Sequence, residues 1–263
     1  LGVSLRIVPA THQILSGEVQ VEQLRQIQID DLLGRDPVRI NDAPVHTSLQ
    51  DKVVIVTGAG GSIGAELCRQ ILDYTPRKLY LLGHGENSIY NIMTELNNES
   101  VFPIIADIRD QAQLKTIFDR IQADHLFHAA AHKHVPLMEN HPTEAFLNNV
   151  LGSYHVLSAA FNAGVKKAVL ISTDKAAEPC NIMGLSKYFA ELVGHHLARD
   201  MDLGRISIVR FGNVIGSRGS VIPLFTRQIE AGGPVTVTDP EMTRYFMTIP
   251  EAVQLVLQAS VLE

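Results

Sequence analysis

From residue 52 onward, short apolar runs alternate with segments of helical periodicity. The apolar runs lack the alternation of half-exposed strands and are typical of buried parallel strands. The predicted strands are Val53–Val56, Lys78–Leu82, Val101–Ala106, His125–His128, Lys167–Ser172 and Arg205–Arg210. Helices are predicted near residues 62–73, 86–97, 111–121, 142–163 and 181–199. The alternation predicts a doubly wound α/β fold with a parallel sheet, in which ligands bind beyond the carboxyl ends of the strands.

Both ends of the chain depart from this pattern. The first fifty residues predict a linker or a small added element, with a strand at Leu5–Val8, a short helix at Val21–Ile27 and a turn-rich connector over residues 30–37. After residue 212, Gly- and Pro-bearing loops surround a helix near 221–231, a short strand at Val235–Thr238 and a helical stretch from Pro250 to Leu262. A start at Leu1 and a stop after a helical stretch lead us to expect a fragment of a longer protein.

Composition narrows the class of protein. The 263 residues are 46% hydrophobic and 19% charged, which excludes a disordered chain. A formal charge of −6 argues against a nucleic-acid partner, because phosphate backbones require a basic surface. Cys68 and Cys180 lie apart without metal-ligand spacing, so we expect reduced thiols in a cytoplasmic protein. No apolar run approaches the roughly 18 to 20 residues of a membrane span, and no signal peptide opens the chain.

A glycine-rich turn joins the first predicted strand to the first helix. The run Thr57–Gly64 contains Gly58, Gly60, Gly61 and Gly64, with Ser62 and Ile63 at the predicted start of the helix. Such glycines permit a tight turn, close approach of the backbone to a pyrophosphate and close packing of helix on strand. Glycine turns also occur for purely conformational reasons, but a strand before and an amphipathic helix after this one indicate a dinucleotide site.

The end of the second strand bears on the choice of cofactor. An acidic residue at this position usually binds the adenosine ribose and repels a 2′-phosphate, but this chain has Gly83. His84, Asn87 and Ser88 could contact a phosphate there, which favours NADP. Glu86 could instead supply the carboxylate one turn later, which leaves NAD open, or could simply favour the start of a helix.

Asp107 and Ile108 follow the third strand. They are candidates to hydrogen-bond and sandwich the adenine ring, and the alternative for Asp107 is a cap on the next turn.

The chemistry is concentrated after the fifth strand. Thr173 and Lys187 have the spacing of the hydroxyl and lysine of short-chain dehydrogenases, whose tyrosine precedes the lysine by four residues. This chain has Met183 there, so another group must accept the proton when an alcohol is oxidised, and Asp174 is the nearest candidate. Asp174 and Lys175, if buried together, would shift each other's pKa values as proton shuttling requires. The alternatives are a solvated turn pair and a methionine that only fills the core.

Several motifs occur together in one order. They are Thr57–Gly64, Gly83–Asn87, His128–Pro136, Ser172–Lys175, Met183 with Lys187, and Arg210–Ser220. Over residues 50–262 this combination resembles the UDP-N-acetylglucosamine 4,6-dehydratases, the polysaccharide-biosynthesis branch of the extended short-chain dehydrogenases. Methionine in place of tyrosine is typical of the long, membrane-anchored members of that branch.

The resemblance implies a domain organisation and a reaction. Residues 1–50 would be a linker, residues 51–211 a Rossmann-like NAD(P)-binding domain and residues 212–263 part of a small, partly truncated substrate-binding lobe. A UDP-hexosamine would be oxidised at C4, lose water across C5 and C6, and regain hydride at C6. Ala129, Ala130 and Ala131 would contribute to the cofactor site.

The resemblance also implies roles for individual residues. Thr173 would bind the C4 oxygen and Lys187 the cofactor ribose. Lys175, if neutral, would abstract the C5 proton while Asp174 protonates the leaving C6 hydroxyl.

Substrate binding by an acidic protein requires local positive charge. Arg218 and Arg244 are candidates to bind the diphosphate, although an exposed arginine is usually only a surface charge. Lys133, His134, Asn213 and Ser220 would face the sugar and its phosphates. His128, His132 and His134 do not indicate a metal site, because neither a cysteine nor a carboxylate completes a ligand set.

Other functions share parts of this pattern. A nucleotide-sugar epimerase shares the fold and the C4 oxidation but has no use for an Asp174–Lys175 elimination pair. A non-catalytic NADP-sensing module would account for Met183, and a structural subunit of a membrane glycan complex would account for the N-terminal linker. The resemblance also implies a homo-oligomer and a parent protein tethered to the cytoplasmic face of a membrane, with no membrane contact by the fragment itself.

Overall fold

The computed structural model describes residues 6–7, 25–26, 33, 42–201, 205–217, 219–237 and 239–262. The chain divides into two compact units, Leu1–Pro37 and Val38–Glu263. In the first unit, strand β1 (Arg6–Ile7) pairs antiparallel with β2 (Arg25–Gln26). The strand predicted over Leu5–Val8 is therefore confirmed at Arg6–Ile7. The helix predicted over Val21–Ile27 is wrong at Arg25–Gln26, because those residues form cross-strand hydrogen bonds instead. The rest of both segments, and the connector except Leu33, lies outside the described residues.

The second unit contains the alternating strands and helices. Its strands are β3 (Val53–Thr57), β4 (Lys78–Gly83), β5 (Val101–Ile105), β6 (His125–His128), β7 (Lys167–Ile171), β8 (Arg205–Val209), β9 (Asn213–Val214) and β10 (Phe246–Met247). Its α-helices are α1 (Ala43–Leu49), α2 (Ser62–Asp73), α3 (Glu86–Leu96), α4 (Gln111–Ile121), α5 (Val135–Asn140), α6 (Pro142–Ala145), α7 (Gly152–Asn162), α8 (Ile182–Met201), α9 (Val221–Glu230) and α10 (Ile249–Ala259). A π-helical turn, Phe146–Leu151, joins α6 to α7.

Six strands form one parallel sheet in the order β5-β4-β3-β6-β7-β8. Alternate side chains of β3 enter two separate cores: Ile55 packs with Phe118 and Phe161 on one face, and Val56 packs with Leu67 and Leu257 on the other. Helices therefore cover both faces, as a parallel sheet requires. The predicted doubly wound, Rossmann-like fold is confirmed.

Differences from the predicted elements have local causes. The helix predicted over residues 142–163 is interrupted by the π-helical turn, a feature that often marks functional sites. The strand predicted over Val235–Thr238 is wrong for Val235–Val237, which form no strand, and Thr238 lies outside the described residues. Instead β9 pairs in parallel with β10, a contact that short sequence patterns do not reveal. Helix α1 belongs to the second unit, since Val45 and Leu49 are buried in its core.

Across the described ranges, no helix combines the length and the apolar character needed to cross a membrane.

Candidate active site

A cavity of about 550 Å³ lies beyond the carboxyl ends of the central strands. It brings together residues that are far apart in sequence: the glycine loop, the loop after β6, the loop after β7, the start of α8 and the segment after β8. Of the predicted site residues, the following line it: Gly61, Ser62, Ile63, Gly64, Ala129, Ala131, Lys133, His134, Thr173, Lys175, Met183, Lys187, Asn213 and Ser220. This is the position at which doubly wound folds bind ligands.

The glycine loop has the geometry that its sequence predicts. Gly58 has φ +67°, and a Cβ there would stand 2.7 Å from the Ala130 backbone, so this position requires glycine. A Cβ on Gly64 would overlap the Gly58 carbonyl. Helix α2 begins at Ser62 and directs its N-terminus, the positive end of the helix dipole, at the cavity wall. The loop can therefore hold a diphosphate on backbone N–H groups.

The buried side chain of His128 stabilises the start of this loop through hydrogen bonds. His128 Nδ1 lies 2.6 Å from Thr57 Oγ1 and its Nε2 lies 2.9 Å from Ser153 Oγ, so both ring nitrogens are engaged. Burial lowers the pKa of His128 to about 3, and the ring is neutral. Among the described residues, no group of three His, Cys, Asp or Glu side chains could hold a metal ion. The sequence analysis rejected His128 as a metal ligand but did not predict its structural role.

The residues after β4 lie beside the glycine loop but do not line the cavity. Ser88 Oγ donates to the Gly85 carbonyl at 2.8 Å, and a Cβ on Gly60 would overlap the Ser88 side chain. Ser88 therefore supports the loop. His84, Glu86 and Asn87 are exposed nearby, where α3 begins.

Asp107 is held by an arginine that the sequence did not indicate. Arg109 Nη2 donates to Asp107 Oδ2 at 2.6 Å, and the Arg109 N–H donates to Oδ1 at 2.9 Å. The hydrogen bond from the Arg109 side chain, more than the counteracting burial, holds the pKa of Asp107 below its usual value. Arg109 also reaches Glu144 at 3.3 Å. Ile108 is buried in the core against Gly152, so its adenine contact stays a prediction.

Thr173, Asp174 and Lys175 form one hydrogen-bonded group on the turn after β7. Thr173 Oγ1 donates to Asp174 Oδ1 at 2.9 Å, and Lys175 Nζ donates to the same oxygen at 3.0 Å. Nζ also reaches Asn213 Oδ1 at 3.2 Å. Burial alone would raise the pKa of Asp174, but the hydrogen bonds from Lys175 and Thr173 hold it below the usual value. The pair is partly buried, with 28% of the Lys175 side chain and 36% of the Asp174 side chain exposed, so it lies between the buried pair and the solvated turn pair that the sequence left open.

Met183 and Lys187 enter the cavity from the first turns of α8. Met183 is buried and packs with Met138 and Ala145, so it fills core as well as lining the cavity. Lys187 is also buried, which lowers its pKa to about 8 against the opposing charge of Glu191. At neutral pH its ammonium supplies positive potential at the cavity wall.

Asn149, on the π-helical turn, joins the loop after β6 to helix α8. Its Oδ1 accepts from the His132 N–H at 2.8 Å, and its Nδ2 donates to the His132 carbonyl and to Ser186 Oγ, each at 2.9 Å. Sequence reasoning missed this residue. The available signal was an amide pair, Asn148-Asn149, inside an otherwise buried helical segment, since buried polar side chains require partners.

The loop after β6 and the segment that precedes α9 meet at the cavity. Lys133 Nζ donates to Ser217 Oγ at 3.3 Å, and a Cβ on Gly219 would stand 2.6 Å from the His134 ring. Burial lowers the pKa of Lys133. Ser220 Oγ is buried, and no hydrogen-bond partner for it is present among the described residues. This part of the cavity thus combines the amine of Lys133, the imidazole of His134 and the buried hydroxyl of Ser220.

The two arginines predicted to bind phosphate are not brought into this group. Arg244 is exposed, is not part of the cavity wall, and donates through Nη1 to the Thr243 carbonyl at 2.7 Å. Arg218 lies outside the described residues.

Known proteins are similar to this chain in sequence and in fold. A family model described as polysaccharide biosynthesis protein matches residues 54–263. The capsular polysaccharide biosynthesis protein CapD of Staphylococcus aureus is 52% identical over 99% of this chain, and the chain spans 44% of CapD. A UDP-glucose 4-epimerase of Rickettsia prowazekii is 39% identical over 80% of this chain and 62% of its own length.

Solved structures agree on the fold. Pen from Bacillus thuringiensis superposes with a TM-score of 0.77 at 35% identity, covering 81% of this chain and 66% of Pen. The dTDP-glucose 4,6-dehydratase DesIV from Streptomyces venezuelae, solved with NAD bound, has a TM-score of 0.73 at 24% identity, covering 79% of this chain and 71% of DesIV. The family model and the high identity to CapD confirm the resemblance read from the motifs: this chain belongs to the family of polysaccharide biosynthesis proteins.

Proposed function

We propose that this chain carries the catalytic domain of a nucleotide-sugar 4,6-dehydratase that converts UDP-N-acetylglucosamine to a UDP-4-keto-6-deoxy-hexosamine. The observation that carries the proposal is the Lys175–Asp174–Thr173 hydrogen-bonded group, of which Thr173 and Lys175 line the same cavity as Lys187 while Asp174 does not line it. An elimination requires both an acid and a base close to the same sugar carbons. This group offers one of each within 3.0 Å.

The residues present fit a nicotinamide dinucleotide. Gly61–Gly64 would hold the diphosphate and Lys187 the nicotinamide ribose, as the glycine geometry and the buried ammonium allow. When bound, such a cofactor accepts hydride from C4 and returns it at C6. We favour NADP over NAD, because Gly83 leaves no carboxylate at the end of β4 to repel a 2′-phosphate.

Proton movement can be assigned to the chain's own side chains. With the sugar C4 hydroxyl against Thr173 Oγ1, its proton passes through Thr173 to the Asp174 carboxylate, which already accepts from Thr173. This route requires no tyrosine at position 183. A neutral Asp174 is no longer the ion-pair partner of Lys175, and in the proposed mechanism the Lys175 ammonium passes its proton to water before it acts as the base.

Elimination then follows with balanced protons. The C4 ketone acidifies the C5 proton, which neutral Lys175 accepts, while Asp174 gives its proton to the C6 hydroxyl and water leaves. After hydride reaches C6, Lys175 returns a proton to C5. Water restores the Lys175 ammonium, and Asp174 is again a carboxylate. The Asn213 amide, 3.2 Å from Lys175 Nζ, keeps the amine directed into the cavity.

Lys133, His134, Asn213, Ser220 and, by the motif alone, Arg218 and Arg244 are the proposed contacts of the UDP-hexosamine. We place the reaction in the cytoplasm, in keeping with two unbridged cysteines, buried Cys68 and exposed Cys180. A homo-oligomer and a membrane-tethered parent protein remain part of the proposal as the resemblance implies them.

An epimerase is the second candidate, because a 39% identical relative is named UDP-glucose 4-epimerase. Incubating the protein with UDP-N-acetylglucosamine and NADP+ or NAD+ in heavy water, followed by NMR, separates the two. The dehydratase gives a keto-deoxy sugar with deuterium at C5. A C4 epimer without deuterium would overturn the dehydratase proposal in favour of the epimerase, and unchanged substrate would overturn it in favour of a non-catalytic module.

A further inference from the structure

Glu191 is a buried carboxylate that the proposed reaction does not use. It lies on α8 one helical turn beyond Lys187 and is 3% exposed. A buried charge is costly unless it is paired and hydrogen-bonded. Here Arg210 Nε donates to Oε1 at 2.9 Å, Arg210 Nη2 pairs with Oε2, and Ser172 Oγ donates to Oε1. Burial alone would raise the pKa of Glu191, but these contacts hold it below the usual value, so the group is ionised.

The partners of Glu191 belong to the segment that carries the proposed acid and base. Ser172 immediately precedes Thr173, and its N–H donates to the Val209 carbonyl at 2.7 Å. The Asp174 N–H likewise donates to the Phe211 carbonyl at 3.1 Å, on the other side of Arg210. Glu191 therefore binds the ends of both β7 and β8 and attaches them to α8.

Charged and titratable groups reach Lys187 from several elements. His128 faces it from β6 and is neutral, Glu191 faces it from its own helix, and Lys175 lines the same cavity from the turn after β7. Arg210 approaches Glu191 from the end of β8. The Glu191 carboxylate opposes the effect of burial on Lys187, and the positive charge of Arg210 is paired with that same carboxylate.

We propose that Glu191 is a positioning residue that keeps Lys187 charged and fixes the Ser172–Lys175 turn to helix α8. The inference rests on the proposed function for the use of Lys187, but its electrostatic part concerns the protein without cofactor. Removing the carboxylate leaves Lys187 buried without its negative neighbour, and the amine becomes neutral at a lower pH. Removing Arg210 instead leaves the carboxylate unopposed, so Lys187 holds its proton to a higher pH.

The test is a pH titration of the Lys187 side chain by NMR in cofactor-free protein labelled with ¹³C at lysine Cε, with the signal assigned from Lys187→Met. We expect Glu191→Gln to lower the midpoint by about one pH unit and Arg210→Gln to raise it. In turnover measurements, the alkaline limit of activity should move in the same directions. Ser172→Ala keeps both charges, so it should leave the midpoint in place while turnover falls.

Opposite shifts distinguish positioning from a structural role, because a merely structural loss would not change sign between the two variants. An unmoved midpoint in Glu191→Gln, or a lowered one in both variants, would overturn the proposal. Should Glu191→Gln fail to fold, Arg210→Gln decides alone: a raised midpoint supports the proposal and a lowered or unmoved one overturns it. Since the titration needs no turnover, a shifted midpoint in a protein that does not dehydrate the sugar would reject the proposed reaction and leave the electrostatic role standing.

Discussion

Around the glycine loop the cavity wall is backbone and small residues, whereas beside Asp174 it consists of the polar and charged side chains of Thr173, Lys175 and Asn213. On the glycine-loop side, defined by Gly58–Gly64 and Ala129–Ala131, shape is set by contacts that no Cβ could enter and by the neutral His128 network. On the Asp174 side, defined by Thr173–Lys175 with Asn213, shape is set by hydrogen bonds made by two titratable side chains, Asp174 and Lys175. The first side is suited to binding and the second to proton transfer.

If that division is correct, Lys175→Ala should remove turnover and leave cofactor binding unchanged, since the hydrogen bonds of Lys175 Nζ go to Asp174 and Asn213. Loss of a positioned acid or base costs about 10² to 10⁴ in rate. Product formation from UDP-N-acetylglucosamine by NMR and cofactor affinity by calorimetry measure the two effects. Lys166→Ala, at an exposed lysine, is the matched control and should retain activity. Normal product formation by Lys175→Ala would remove this lysine from the mechanism.

Asp174→Asn tests whether the carboxyl both accepts the C4 proton and supplies the C6 proton. The amide is nearly the same size and can still bind Thr173, but it cannot carry the proton. Turnover should fall by about 10² to 10⁴, again with unchanged cofactor affinity. Asp119→Asn, in an exposed i,i+4 pair with Lys115, is the control for the substitution itself. A mild effect of Asp174→Asn would assign the C4 proton to another group.

On the glycine-loop side, we expect substitutions to lower cofactor affinity. Gly58→Ala places a Cβ against the Ala130 backbone at a positive φ, so the loop must move. We expect cofactor affinity to fall by about tenfold or more, since left-handed strain alone costs roughly 1–2 kcal/mol. Gly164→Ala is closely matched, with φ +89° and no atom within 4 Å of its Cβ, and should not alter cofactor affinity. Equal affinity losses in both variants would show that stability, rather than loop shape, controls binding.

A smaller effect is expected for the relative affinities of NADP+ and NAD+. NADP+ should bind more tightly than NAD+ in calorimetric titration, because Gly83 presents no carboxylate to a 2′-phosphate. Gly83→Asp should reverse the preference. Its Cβ would meet the Ile89 side chain at 3.0 Å (Cδ1) and 3.3 Å (Cγ1), so Ile89 must shift by a few tenths of an ångström. Equal or tighter NAD+ binding by the unaltered protein would indicate that Glu86 or another group serves the ribose.

The smallest effect is expected at Met183, which occupies the position of the tyrosine of short-chain dehydrogenases. If Thr173 and Asp174 carry the C4 proton, Met183→Tyr should change turnover far less than the 10² to 10⁴ of a catalytic group. Met183 is buried against Met138, so the protein's thermal stability should be measured alongside activity. A rise in turnover of that catalytic size would indicate that the native protein lacks its best base, and would favour a sensing or structural role.

Sequence reasoning succeeded where a pattern depends on neighbours in the chain. All six sheet strands, the start of α2 and the glycine turn follow from apolar runs and local glycine geometry. It did not predict which side chains contact one another. The partners of His128 were missed because Thr57 and Ser153 became its neighbours only through strand order and helix packing. Arg109 and Glu191 lie two and four residues from Asp107 and Lys187, but no pattern in the sequence indicated that these side chains would interact. Nor did any local signal predict that β9 would pair with β10.

The sequence by itself determined the fold class, the glycine loop and the family, because each depends on residue type at short, fixed spacing. Only the tertiary structure decided which charges exist in the cavity. Asp174 and Lys175 are adjacent in any conformation, yet the ionisation of Asp174 depends on burial and on hydrogen bonds from Lys175 and Thr173. The pKa of Lys187 likewise depends on its burial and on the negative charge of Glu191. Electrostatic energy depends on distance and solvent exposure, and both are properties of the folded chain.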